Sequence, residues 1–403
     1  MIPYSLKREN ENYFTLPVLR KFCKKYGLST TDSRSDLMES IIQFGAKNKG
    51  NANIVREWAD QVLKEGIKHI YFRKVYFPDS KLNSLKNTKL CDQIMVSTFS
   101  DCPLHYLTAC SSENTLSLQS YIYEVDSNDN VTKISFFFSI LLLENNIEGS
   151  PDKVIFPVFV DLDLVNCIVA GRAKSKSGIF FDNEAHTVEE KNRTNSETII
   201  IKAIEYIVSK LGITQEAKEK SSSDLRQTYY KLLKEFTFTP AIVKQQIDSK
   251  NPELDEFITN VFTSLGIDLY TNIMKAKNDM RIFIEKYISI NCADKTIFTK
   301  DRAAYPVKLI ATDSELTKVE TTTSNKEPLQ CKPAFFDNKN SLEHEQACDG
   351  LVLCYNRINT KYFGTDPYVV KLHISKGYGV IRFESYVEEE DIQNVLSRII
   401  KNR

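Results

Sequence analysis

This chain has no charge of one sign to spare: its 53 lysines and arginines balance 53 aspartates and glutamates over 403 residues. Such neutrality excludes a protein coated in nucleic acid or lying along an acidic membrane, because either needs a basic surplus. Any contact with a polyanion is therefore confined to a local patch. Long hydrophobic runs are also missing. The longest, Ile134 to Leu143, is interrupted by Ser135 and Ser139 and is far shorter than the roughly 20 residues a membrane span requires. Residues 1–50 lack signal-peptide organisation. These absences predict no membrane partner and a cytoplasmic protein.

Nine cysteines stand at positions 23, 91, 102, 110, 167, 292, 331, 348 and 354, an odd total without a CxxC pair. They read as reduced thiols, and Cys167 and Cys354, inside apolar runs, behave as small hydrophobes. The five histidines, His69, His105, His186, His344 and His373, are dispersed and form no HExxH. Cys102 with His105, and His344 with Cys348, each lack a complementary pair, so neither a metal site nor a cofactor is expected. There is no GxxxxGK[ST] loop and no GxSxG elbow. A P-loop engine is thereby disfavoured, and a nucleophile would need partners from distant positions. The absence of internal repeats disfavours solenoids and propellers.

What remains is an ordinary globular composition, 42% hydrophobic and 26% charged, on a chain long enough for two or three domains. Ile54, Val55, Trp58, Ala59, Val62 and Leu63 mark an amphipathic helix that stops at Gly66. Strands are then predicted over 70–77, 93–99, 116–125, 132–143, 154–161 and 167–172. Ser127 to Asn130 supplies a hairpin turn between the third and fourth, giving a mostly antiparallel meander. Helices follow over 196–211, 223–236, 240–248, 252–265 and 277–288. Strands return over 306–311, 351–355, 368–374 and 378–383, with a hairpin turn at Gly377-Tyr378-Gly379. A last helix over 387–400 carries acids at its start and bases at its end, as the helix dipole favours. The polar stretch 312–350 is longer than ordinary loops and reads as a flexible insertion or a functional lid.

The segment with the most informative chemistry is LPVLRKFCKKYGLSTTDSRSDLMESIIQ, residues 16–43. Leu19, Phe22, Cys23 and Tyr26 recur on one helical face, while Arg20, Lys21, Lys24 and Lys25 lie on the other. Thr15 is a candidate N-cap and Gly27 a helix terminator. Ser33 and Asp36 have the form of a capping box ahead of Leu37, Met38, Ile41 and Ile42. Residues 1–50 hold nine Lys or Arg against five Asp or Glu, a local surplus of four.

Residues 13–44 resemble the SAP motif, a two-helix module of DNA-associated proteins. Gly27-Leu28-Ser29-Thr30-Thr31 matches its Gly-Leu-Ser turn, Arg34 stands at a basic position and Leu37 at the leading leucine of the second helix. Asp32 replaces a common glycine, and Ser33 replaces the first basic residue. The resemblance implies gripping of duplex DNA phosphates rather than sequence reading, by Arg20, Lys21, Lys24, Lys25 and Arg34.

A second candidate lies in residues 156–178, where Asp161 and Asp163 end one strand and Arg172, Lys174 and Lys176 follow on the next. Two acids and Lys174 form half of a metal-dependent nuclease site, which alone would call for Mg²⁺ or Mn²⁺. However, Arg172 stands where the common endonuclease pattern has an acid. Arg172, Lys174 and Lys176 can instead extend a phosphate track.

The sequence thus predicts an α+β protein. Its expected parts are a SAP-like helical module (1–50), a linking helix (51–66), an antiparallel β-rich domain (67–190), a helical region (191–300) and a C-terminal α/β region (301–403). The leading expectation is a non-catalytic DNA-binding or DNA-sensing subunit of a prokaryotic DNA-associated system, such as one for defence against phage, working with a protein partner or as a homo-oligomer. The alternatives are a nuclease using Asp161 and Asp163, and a protein-interaction scaffold without nucleic acid.

Overall fold

A computed structural model describes residues 2, 4–7, 13–107, 114–144, 151–182, 189–312, 318–323, 326–357, 362 and 364–403. The protein is α+β, and the chain forms two compact units. One comprises Met1–Ser222, Ile358–Asp366 and Ser375–Val395; the other comprises Ser223–Arg357, Pro367–Ile374 and Leu396–Arg403.

The chain begins with α1 (Tyr4–Lys7), α2 (Leu16–Lys25), α3 (Arg34–Ala46) and α4 (Lys49–Lys64), then β1 (Lys68–Tyr76), α5 (Asp79–Lys86) and α6 (Thr88–Thr98). Next come β2 (Ser117–Val125), β3 (Val131–Glu144), β4 (Asp152–Asp163), β5 (Ile168–Lys174), β6 (Ile179–Phe181), β7 (Arg193–Thr194), α7 (Ser196–Leu211) and β8 (Thr214–Gln215). Then follow α8 (Lys218–Phe236), α9 (Ala241–Asp248), α10 (Asn251–Leu265), α11 (Leu269–Asn291), β9 (Ala304–Thr312), β10 (Lys318–Thr322), α12 (Pro333–Asp337) and α13 (Lys339–Glu345). The chain closes with β11 (Gly350–Tyr355), β12 (Tyr368–Ser375), β13 (Tyr378–Phe383) and α14 (Glu389–Asn402).

In the first unit the strands run in the order β13-β1-β5-β4-β3-β6-β7, with β2 on β3. The β2-β3-β4-β5 meander is antiparallel throughout. At its first turn, Asp126 Oδ1 accepts from the amides of Asn128 at 2.8 Å and Asn130 at 2.9 Å. Around β3 and β4 the sheet is buried on both faces, which explains why β3 is almost continuously apolar. Phe136, Phe138, Ile140 and Leu142 join α7 in one core. Phe137, one residue out of phase, meets Phe159 with ring centroids 5.4 Å apart and joins α2, α3 and α4 in the other.

Helix α7 owes its limits to local chemistry: the Asn195 side chain accepts from the Thr198 amide, and Gly212 ends the helix at φ 61°. Its Ile200 and Ile204 lie directly over Gly171 of β5, where an added Cβ would stand 2.6 Å from Ile200 Cγ2 and 2.9 Å from Ile204. Gly171→Ala is expected to destabilise the protein by about 1–3 kcal/mol through overpacking. Denaturant unfolding checks this, and an unchanged midpoint would remove the packing argument.

In the second unit β10-β9-β11-β12 form an antiparallel set. Helix α8 supplies Tyr229, whose hydroxyl donates to the His373 carbonyl at 3.1 Å, and Phe236, which meets Tyr355 edge-on. The α10–α11 arm carries exposed Phe257, Leu265, Tyr270 and Met274.

Several expectations are corrected. Residues 93–98 belong to a helix, α6, with Phe99 as its C-cap: the Asn87 side chain caps its start at the Leu90 amide, and Cys91 and Met95 are buried one turn apart. The β-favouring run is short, and helical spacing with a good cap overrides it. The stretch 312–350 is not a structureless loop, since it carries β10, α12 and α13 and is anchored by buried Leu329, Gln330, Phe335, Phe336 and Leu342. Gln330 donates to the Thr237 carbonyl and accepts from Arg302. Helix α11 begins eight residues before its expected start, because Asp268 caps the amides of Tyr270 and Thr271. The turn near Gly377 is made by Lys376 (φ 52°) and Gly377 (φ 77°), while Gly379 lies within β13 against Phe72.

Candidate nucleic-acid interface

Helix α2 buries Val18, Leu19, Phe22 and Cys23 and ends at Gly27, whose φ of 64° suits glycine. After the turn, Ser33 Oγ accepts from the Asp36 amide at 3.3 Å and starts α3. The pair is closed by α4: Trp58 lies 4.6 Å from Phe22 and 5.3 Å from Phe14 between ring centroids, and Ala59, Val62 and Leu63 share the same core. The helix at 51–66 is thus part of the support of α2 and α3.

Packing this apolar stripe inward leaves Lys21, Lys24 and Lys25 exposed on the outer face of α2. None has a carboxylate partner among the described residues. Lys25 Nζ sits 5.2 Å from the centroid of the Tyr26 ring. Arg20 pairs with Asp32, the residue that stands where the SAP pattern has glycine. Arg34 turns back to donate from Nε to the Phe14 carbonyl at 3.2 Å. The exposed cationic row is therefore the three lysines, with two arginines beside it that also tie the module together.

The second group of candidates lies elsewhere in the same unit. Arg172 is 5% exposed, with Nη1 2.6 Å from Glu389 and Nη2 3.5 Å from Asp161. Burial works against its charge, but Glu389 and Asp161 outweigh this and hold the guanidinium above its ordinary range. Burial also opposes ionisation of Glu389, and Arg172 overrides it, keeping that carboxyl below the usual value. Asp161 further accepts from Ser135 Oγ at 2.6 Å. Lys176 pairs with Glu144 at 2.9 Å and its side chain is almost covered. Lys174 lies with Nζ 5.1 Å from the Tyr13 ring centroid. Arg172 and Lys176 are therefore internal ion-pair members rather than surface phosphate contacts.

Asp163 ends β4 as a turn cap, accepting from the amides of Val165 and Asn166 and from the Asn166 side chain. With Asp161 tied to Arg172, the two acids do not converge. Among the described residues no group of three or more His, Cys, Asp or Glu is placed to hold a metal ion. His186 and Cys110 lie outside the described residues.

Sequence reasoning missed what surrounds Arg172. Glu389 belongs to the acidic run that opens the last helix, where Asp391 accepts from the Glu388 amide. Glu389 additionally reaches Arg172. Lys68 is 1% exposed and donates to the Leu63 carbonyl at 2.7 Å. Burial first, then Arg172 and Lys174, push its amine well below the ordinary lysine value. Glu65 is raised by burial, though Gln61 and Tyr386 donate to it. The available signal was an arginine in the apolar strand IVAGRAK and a lysine opening another.

The depressed lysine gives a pH dependence of definite sign. Between its lowered value and the ordinary lysine value of 10.5, the unfolded chain holds a proton that folded Lys68 has released. Stability from this residue therefore rises with pH across that window, by up to about 1.4 kcal/mol per unit. Urea unfolding of wild type and Lys68→Met at neutral and alkaline pH should show the wild type gaining relative to the variant. Parallel pH profiles would contradict it.

Comparison with protein-family models, with curated proteins and with solved structures finds no match to this chain. No described helix is long and apolar enough to cross a membrane.

Proposed function

We propose that this protein grips a nucleic-acid backbone, duplex DNA foremost, through its N-terminal helices, as a non-catalytic DNA-binding or DNA-sensing component. The observation that supports this reading is the row Lys21, Lys24 and Lys25, exposed on two successive turns of α2. Ammonium groups on flexible stems neutralise phosphates without reading bases. The resemblance of residues 13–44 to the SAP motif points the same way. Arg20 and Arg34 flank the row, and the exposed Arg20–Asp32 pair is of a kind that contributes little to stability, so Arg20 is available to a phosphate.

Fluorescence anisotropy with the 403-residue chain tests the reading. Two duplexes of unrelated sequence are expected to bind with similar affinity at low ionic strength and to compete with one another equally. Failure of both duplexes to bind at low salt would contradict the proposal.

A further inference from the structure

In the first unit, the end of α6, the start of β2 and the last turns of α7 line an open cavity of about 480 Å³, within the usual size range of small-molecule sites. Asp101 and Lys210 both line it, both are exposed, and neither has an ion-pair partner among the described residues. Two opposite charges on one cavity would neutralise one another directly if they met; held apart, they match a ligand carrying both signs.

Aromatic surface lines the same cavity. Phe99 and Tyr206 stand with ring centroids 6.4 Å apart, and Lys210 Nζ is 5.7 Å from the Tyr206 centroid. Burial, and then nearby Cys102 and Asp101, push the Tyr206 phenol up, so Asp101 lies within electrostatic range of that ring. The wall also contains Gln119, 2% exposed, whose Nε2 donates to Ser117 Oγ at 2.6 Å while its Oε1 has no partner among the described residues. A buried acceptor without a donor is rare enough to need an explanation. Thr98 and Phe99 come from the C-terminal end of α6, whose partial negative charge favours an ammonium group.

We propose that this cavity binds a free, zwitterionic α-amino acid with an apolar side chain. Lys210 takes the carboxylate, Asp101 the ammonium group, and Phe99 with Tyr206 the side chain. The proposal is independent of the nucleic-acid reading.

Saturation-transfer difference NMR on the 403-residue chain with L-leucine, L-methionine and L-phenylalanine at millimolar concentration tests it. At least one of the three is expected to give ligand signals. Asp101→Asn and Lys210→Met should each weaken its binding about tenfold or more. Removing either ligand charge should act alike, so N-acetyl-L-leucine and L-leucine amide should bind more weakly than L-leucine. Both side chains are exposed and unpaired, so these variants should retain the wild-type unfolding midpoint, which separates lost binding from lost folding. Absence of signals for all three amino acids, or undiminished binding in both variants, would overturn the assignment.

Discussion

Replacing Arg172 by methionine is expected to destabilise the first unit by about 2–4 kcal/mol, because it leaves two half-buried carboxylates without the buried counter-charge they share. Glu389 is held ionised by Arg172 at 2.6 Å, and Asp161 lies 3.5 Å from the same guanidinium. Methionine restores the volume and some packing against Phe159, whose ring centroid is 5.8 Å from the guanidinium carbon, but not the charge. Trp58, the only tryptophan, packs against Phe14 and Phe22 and reports this unit. Its fluorescence in a denaturant titration should show the midpoint shift. Adding Glu389→Gln to Arg172→Met should recover part of the loss, since the pair is coupled. A loss below about 1 kcal/mol would mean that the buried charges are not mutually dependent.

The second large effect concerns the lysine row. Simultaneous Lys21→Ala, Lys24→Ala and Lys25→Ala should weaken duplex binding by a factor on the order of 10–100, equally on unrelated sequences, because phosphate contacts carry the affinity. The three side chains are exposed and without carboxylate partners among the described residues. The variant should therefore keep the wild-type unfolding midpoint. Lys176→Ala, whose side chain is covered and paired with Glu144, is the control and should leave DNA affinity unchanged. An isolated 1–50 fragment is a poor substitute for the full chain, since α2 and α3 share their core with α4, Phe137 and Phe159.

What could be read from the sequence was what local chemistry decides. The limits of α7 follow from Asn195 and Gly212, and the exposed face of α2 follows from the spacing of Leu19, Phe22 and Cys23. The antiparallel pairing of β2 with β3 was legible from the turn at Ser127 to Asn130. Elements decided by distant partners were not. Gln330 and Phe335 look like loop residues until the groups that bury them are known. Arg172 looks like a surface cation because Glu389, its partner, lies 217 residues away. Helix α6 was misread because its cap, Asn87, precedes the β-favouring run that suggested a strand.

The central claim is that the exposed lysines of α2 neutralise phosphates. It is tested most directly by the salt dependence of duplex affinity for the wild-type 403-residue chain and for the triple-alanine variant. Each lost phosphate contact should make the slope of log affinity against log salt shallower by about 0.9, so the variant should differ from wild type by about 2.7. Equal slopes in the two proteins would contradict the account, whatever the absolute affinity.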